Sequence, residues 1–108
     1  MEKVIHIDGR DVRFKATAAV PMRYKAQFGK DYFSEILKLS DLKGSKDKVL
    51  KEIDFDVFYN IAWTMAKTAD KSIGDPLSWL DEFEEFPIIE ILPELQDMIV
   101  KTLQSKKK

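Results

Sequence analysis

Apolar and polar residues alternate at the start of the chain, where Lys3-Val-Ile-His-Ile7 runs into Asp8-Gly9-Arg10 and then Asp11-Val-Arg-Phe-Lys15. Val12 and Phe14 stand between charged neighbours, and Asp-Gly accepts the positive φ angles of a tight turn. The segment predicts a β-hairpin over 3–15. Two strands alone are marginal in water, so one face must lie on helices or pair with another chain.

From Thr17 the period becomes helical. Val20, Tyr24 and Phe28 recur in steps of four, Pro21 suits a first turn, and Gly29 can end the helix. Asp31 can cap a following run whose apolar set is Tyr32, Phe33, Ile36, Leu37 and Leu39. The helical span is roughly 18–40, either as two helices or as one bent at Gly29. The polar stretch 40–48 contains Gly44 and reads as a loop leading into a short helix, roughly 46–52. Asp54 caps the clearest helix, 54–72, with Val57, Phe58, Ile61, Ala62, Met65, Ala66 and Ala69 on one wide stripe. Trp63 stands on another face, which predicts burial on two sides. Asp75-Pro76 restarts the chain as a helix over 75–86 carrying Leu77, Trp79, Leu80, Phe83 and Phe86. A final helix, 87–104, follows Pro87, with a kink or restart expected at Pro93, whose ring crowds the carbonyl four residues earlier. The pattern gives an α+β, mostly α domain over 1–104, with one hairpin and about five helices around one core. Residues 105–108 read as a flexible basic tail.

Composition changes this picture mainly by exclusion. The 108 residues carry 18 Lys plus Arg against 19 Asp plus Glu, one His and no Cys. Absent cysteine removes disulfide scaffolds and thiolate zinc sites. A formal net charge of −1 argues against a protein that wraps nucleic acid through its overall charge. Helical spacing places Arg23 and Lys25 outside and Tyr24 and Phe28 inside, so that basic-aromatic run gives no nucleic-acid motif either. No apolar stretch is long enough for a membrane span, and the expectation is a soluble protein of the cytoplasm. His6 alternates with Ile5 and Ile7 and falls on the polar face of the hairpin, with neither a partner nor a pocket for general-base work. Ser and Gly spacing offers no nucleophile elbow or phosphate cradle, and no Asp-x-Asp-x-Asp-Gly metal loop occurs. The reading is non-enzymatic, with no cofactor and no metal.

The charge is unevenly spread. Residues 1–30 hold seven basic and three acidic side chains, whereas 75–97 hold eight acidic and no basic ones. Most of these charges belong on solvated faces. Opposite ends can also attract between copies, and such a head-to-tail contact makes rings or filaments. On that basis Ile5, Ile7, Arg10, Arg13, Glu82 and Glu85 are candidates for self-association. The C-terminal third also carries more apolar surface than one narrow stripe hides. Core packing is its default use. Its alternative use is as a ridge for a partner helix, with Trp79, Phe83, Phe86, Ile88, Leu92, Leu95 and Ile99 as candidate contacts.

The order of landmarks is familiar. An Asp-Gly hairpin precedes Ala-Thr-Ala-Ala-Val-Pro-Met-Arg-Tyr-Lys-Ala-Gln-Phe-Gly (16–29), Tyr-Asn-Ile-Ala-Trp-Thr-Met-Ala-Lys (59–67), Asp-Pro-Leu-Ser-Trp-Leu-Asp-Glu-Phe (75–83) and a closing apolar helix. Together these resemble the small tail assembly chaperones of long-tailed bacteriophages and prophages of Gram-positive bacteria. The resemblance covers nearly the whole chain, with 40–53 least distinctive. It implies binding of the tape measure protein in the host cytoplasm as a homo-oligomer, with the tail-tube protein as a further contact, and absence from the mature virion. It also implies a frameshifted longer product, for which Lys106–Lys108 would mark an adenine-rich slippery site if they are not simply a solubilising tail. Two other classes fit the same residues: a structural tail or head-completion protein, and a small regulator whose acidic 75–97 face binds a host protein.

Overall fold

In the computed structural model the described residues are 1–40 and 46–104, and the side chains of residues 40, 46 and 102–104 lie outside the description. Strands β1 (Glu2–Ile7) and β2 (Arg10–Lys15) form an antiparallel hairpin in which Lys3 faces Phe14, Ile5 faces Val12 and Ile7 faces Arg10. Asp8 and Gly9 both have positive φ, 52° and 80°, as a two-residue turn of the mirror-image type requires. Lys3, Ile5, Ile7, Val12 and Phe14 share the core face, and His6 lies on the other face beside Asp11, as its alternation predicts.

Six helices follow among the described residues, which makes the chain α+β and mostly α. They are α1 (Val20–Phe28), α2 (Tyr32–Ser40), α3 (Lys46–Glu52), α4 (Phe55–Ala69), α5 (Pro76–Leu80) and α6 (Ile88–Gln104). The 18–40 span is two helices, because Gly29 takes a left-handed φ of 71° and its amide closes α1 on the Lys25 carbonyl. Asp31 starts α2 by accepting from the Ser34 amide at 3.0 Å. Asp54 caps α4 by accepting from the Val57 amide at 3.2 Å.

One expectation about the C-terminal third is corrected and another is narrowed. The helix expected over 75–86 spans only α5, and Asp75 stands at its N-cap without a capping side-chain hydrogen bond. Beyond Leu80 the chain turns through short-range bonds, Glu82 amide to Trp79 carbonyl and Phe83 amide to Leu80 carbonyl, and the next amide, Glu84, leaves the helix path for Asp8. No restart occurs at Pro93 either: α6 is one continuous helix with the proline inside it. The tail expected at 105–108 and most of the loop expected at 40–48 fall outside the described residues.

A single core joins these elements. β2 packs on α4, which also meets α1, α2 and α5, while α2 packs on α6. Trp63 is buried on α4, with its ring 5.7 Å from Phe28 and its indole N–H donating to the Gly74 carbonyl at 2.9 Å, which accounts for its place off the main stripe. An aromatic cluster closes the far side: Trp79 meets Phe14, Phe83 and Phe86 edge to face at 6.4, 5.3 and 5.5 Å. Phe86 also meets Phe58 at 6.0 Å.

Candidate protein-interaction site

The two charged thirds of the sequence meet inside one molecule. Lys3, on the core face of β1, reaches α6 and donates to Glu94 at 2.9 Å and Asp97 at 3.0 Å. Arg10, at the other end of that face, donates to Glu82 at 2.8 Å, and its guanidinium lies 4.4 Å from the Phe83 ring centre. Between them the turn itself is tied down, with Asp8 accepting the Glu84 amide at 2.9 Å. The segment after Leu80 therefore bends back because Arg10 of β2 and the hairpin turn offer it partners that a longer α5 would not reach.

These contacts correct the expected surfaces. Trp79, Phe83, Leu92, Leu95 and Ile99 are buried, and Phe86 and Ile88 pack half-buried against the same cluster. A client ridge over Trp79–Ile99 is not what the fold presents, because those side chains belong to the core cluster. The charged ends also bond one another within the chain. Ile7 is fully buried, Ile5 is partly buried in the core, and Arg10 is held by Glu82. Arg13 bonds Glu2 at 3.2 Å and the Ala69 carbonyl at 3.0 Å, while Glu85 is exposed.

The apolar side chains that do face water lie elsewhere. On α2 Leu37 is 63% exposed and Phe33 42%, one helical turn apart. Five apolar residues within Tyr32–Leu39 are too many for one face of a short helix, and this excess was the sequence signal. Tyr32, Ile36 and Leu39 take the core, and Phe33 and Leu37 are displaced about 100° around the axis. Leu77 on α5 and Met22 on α1 are also exposed. On the outer face of the hairpin, Val4 is 54% exposed between Glu2 and His6.

A polar hollow of about 300 Å³ lies between β2, the α4–α5 connection and α5, lined by Arg10, Asp11, Arg13, Asp70, Ser72, Trp79 and Glu82 among others. Its charged groups are held in pairs. Asp70 accepts from the Ser72 hydroxyl and amide at 2.6 and 3.0 Å, bonds that hold its carboxyl below the ordinary carboxylate range. The two bonds from Ser72 to one Asp70 oxygen close an Asx turn just after α4. His6 sits on the other face of the hairpin with its Nδ1 3.0 Å from Asp11. Among the described residues no three His, Asp or Glu side chains converge as a metal site would need, and no helix is long and apolar enough to cross a membrane.

The clamp between hairpin and α6 sets a pH dependence. Bonds from Glu94 and Asp97 raise the Lys3 ammonium above its ordinary 10.5, and the bond from Lys3 lowers the Asp97 carboxyl below its ordinary 3.8. A raised Lys contributes stability that is complete below its unfolded value and lost as pH climbs through the folded one. A lowered Asp contributes above its unfolded value and loses it as pH falls through the folded one. The clamp should therefore act from about pH 4 to pH 10 and weaken at both ends. In Lys3→Met this pH dependence is expected to flatten, and thermal melts from pH 2 to 11 at low salt would show it; unchanged curvature at both extremes would count against the clamp.

Comparison of the chain with protein-family models, with curated proteins and with solved structures finds no match.

Proposed function

We infer that this chain is a non-enzymatic assembly chaperone of a long-tailed phage or prophage, one that binds the tape measure protein and keeps it soluble during tail morphogenesis. The observation that carries the reading is the ordered set of landmarks shared with the tail assembly chaperones. Its support from the fold is that Tyr24, Trp63, Trp79 and Phe83 belong to one core, so the resemblance lies in residues that specify a fold. A tape measure protein is long and largely helical, and its apolar faces need cover until the tube forms. Many weak contacts from a small domain suit that task, because each is releasable. Phe33 and Leu37 are the side chains assigned to the client: they are one turn apart on α2 and lie outside the core. The protein would act in the host cytoplasm and be missing from finished particles.

The test is co-expression with the adjacent tape measure protein. The client should be insoluble alone and soluble with this chain, and Phe33→Ser with Leu37→Ser should lower the rescue while the melting temperature stays near that of the parent. Failure of the parent chain to rescue, or its recovery from purified virions, would overturn the proposal.

A further inference from the structure

Among the described residues no strand pairs with the outer edge of β1. Met1 and Ala16 exchange reciprocal backbone bonds, amide to carbonyl, at 3.1 and 2.8 Å. In an antiparallel pair such bonded positions alternate. Pairs 3–14, 5–12 and 7–10 are therefore the bonded ones, and the amides and carbonyls of Glu2, Val4 and His6 point away from β2. All three residues are exposed, and α4 packs under β2 instead of closing this edge. Nothing along it blunts pairing in the usual ways: it has no proline and no bulge, and the one inward charge, Lys3, is already matched by Glu94 and Asp97.

We propose that a second copy of this chain pairs antiparallel with that edge, β1 against β1, about a two-fold axis at Val4, so that two hairpins become one four-stranded sheet. Charge selects the register. With the axis at Val4, His6 of one copy stands opposite the partner's Glu2, and the outer face then reads Asp11, His6, the partner's Glu2 and the partner's Lys15, a row in which the partner's Glu2 lies between the His6 ring and the Lys15 ammonium of its own hairpin. The same row repeats on the other side of the axis. His6 Nδ1 lies 3.0 Å from Asp11, and in the imidazolium form the ring can also donate Nε2–H to the partner's carboxylate. At the centre the exposed Val4 covers the partner's Val4 and removes apolar surface that the monomer leaves in water. Sliding the axis to Glu2 or His6 would set that residue opposite its own copy and leave one of the three bonded residue pairs. An interface of one strand pair is small, so the dimer dissociates on dilution. The proposal concerns the chain alone and does not depend on the client.

The chain has no cysteine, so single thiols report the register. Sedimentation of the parent from about 10 μM to about 1 mM should show mass rising from monomer toward dimer. Val4→Cys should form a disulfide-linked dimer under mild oxidation, since paired Cα atoms lie about 5.5 Å apart. His6→Cys should form no disulfide-linked dimer, because its two-fold mate is four residues, about 14 Å, away. Val4→Pro, which removes only an outward amide, should abolish the dimer, with Val4→Lys as the second variant if proline disturbs the hairpin. A constant monomer mass across the range would overturn the proposal. So would equal cross-linking at positions 4 and 6, or a dimer indifferent to both Val4→Pro and Val4→Lys.

Discussion

Trp79→Ala should lower stability by about 3–5 kcal/mol, a large share of the roughly 5–15 kcal/mol that holds an ordinary domain folded. Trp79 is 1% exposed and meets Phe14, Phe83 and Phe86 edge to face, so truncation opens a void bounded by the hairpin and by the chain after α5. The site cannot collapse cheaply, because Phe14 is fixed by β2 and Phe86 by its contacts with Phe58 and Tyr59. Leu95→Ala on α6, also fully buried, should cost about 2–5 kcal/mol by the same argument. Urea unfolding followed by circular dichroism measures both. With Trp79 gone, Trp63 is the one remaining tryptophan and its fluorescence reports on α4. A midpoint within about 0.5 kcal/mol of the parent, as surface substitutions usually give, would mean that Trp79 belongs to a surface and not to the core.

A second pair of substitutions should give opposite signs from the same chemical change. Glu35 is a buried carboxylate that accepts from the Tyr24 hydroxyl at 2.8 Å and from Lys38 at 3.2 Å. Tyr24→Phe strips one donor from it and should destabilise by about 1–3 kcal/mol. Tyr32, next to it in the cluster with ring centres 5.6 Å apart, buries its hydroxyl with no hydrogen-bond partner among the described residues. Tyr32→Phe removes that orphaned group and should be neutral or stabilising by up to about 1 kcal/mol. Burial, and for Tyr24 also the Glu35 bond, raises both phenols above the ordinary 10.0. The folded chain therefore keeps protons that the unfolded chain sheds, and stability falls as pH rises beyond 10. Each Phe variant should lose part of that alkaline decline. Chemical unfolding at pH 7 and again above pH 10 separates the two effects, and equal shifts in both variants at pH 7 would refute the assignment.

What the sequence disclosed and what it hid follow from the range of each signal. Asp8-Gly9, Gly29, Asp31 and Asp54 act over one to four residues, and each does what its local chemistry requires. The run Trp79, Phe83, Phe86 has helical spacing yet is carried mostly by turns, because spacing reports which side chains are buried and not which backbone bonds hold them. The segregation of charge was equally legible. Its meaning was not, since a one-dimensional pattern is the same whether the opposite charges meet across two copies or within one. Here Lys3 and Arg10 find Glu94, Asp97 and Glu82 at the far end of their own chain. The apolar excess on α2 could have been found by counting, and Phe33 and Leu37 are where it surfaces.

The tie from Lys3 to Glu94 and Asp97 spans 91 and 94 residues. Contacts of that separation are slow to form, because a long loop must close before they contribute. On a ribosome the hairpin leaves the tunnel ahead of the helices, yet Lys3 has no α6 carboxylates to bond until those later residues have followed at about 5–20 residues per second. An element made ahead of every helix of the domain is thus among the last to be secured. For those seconds both edges and one apolar face of the hairpin are open to whatever lies nearby, including the hairpin of a neighbouring nascent chain.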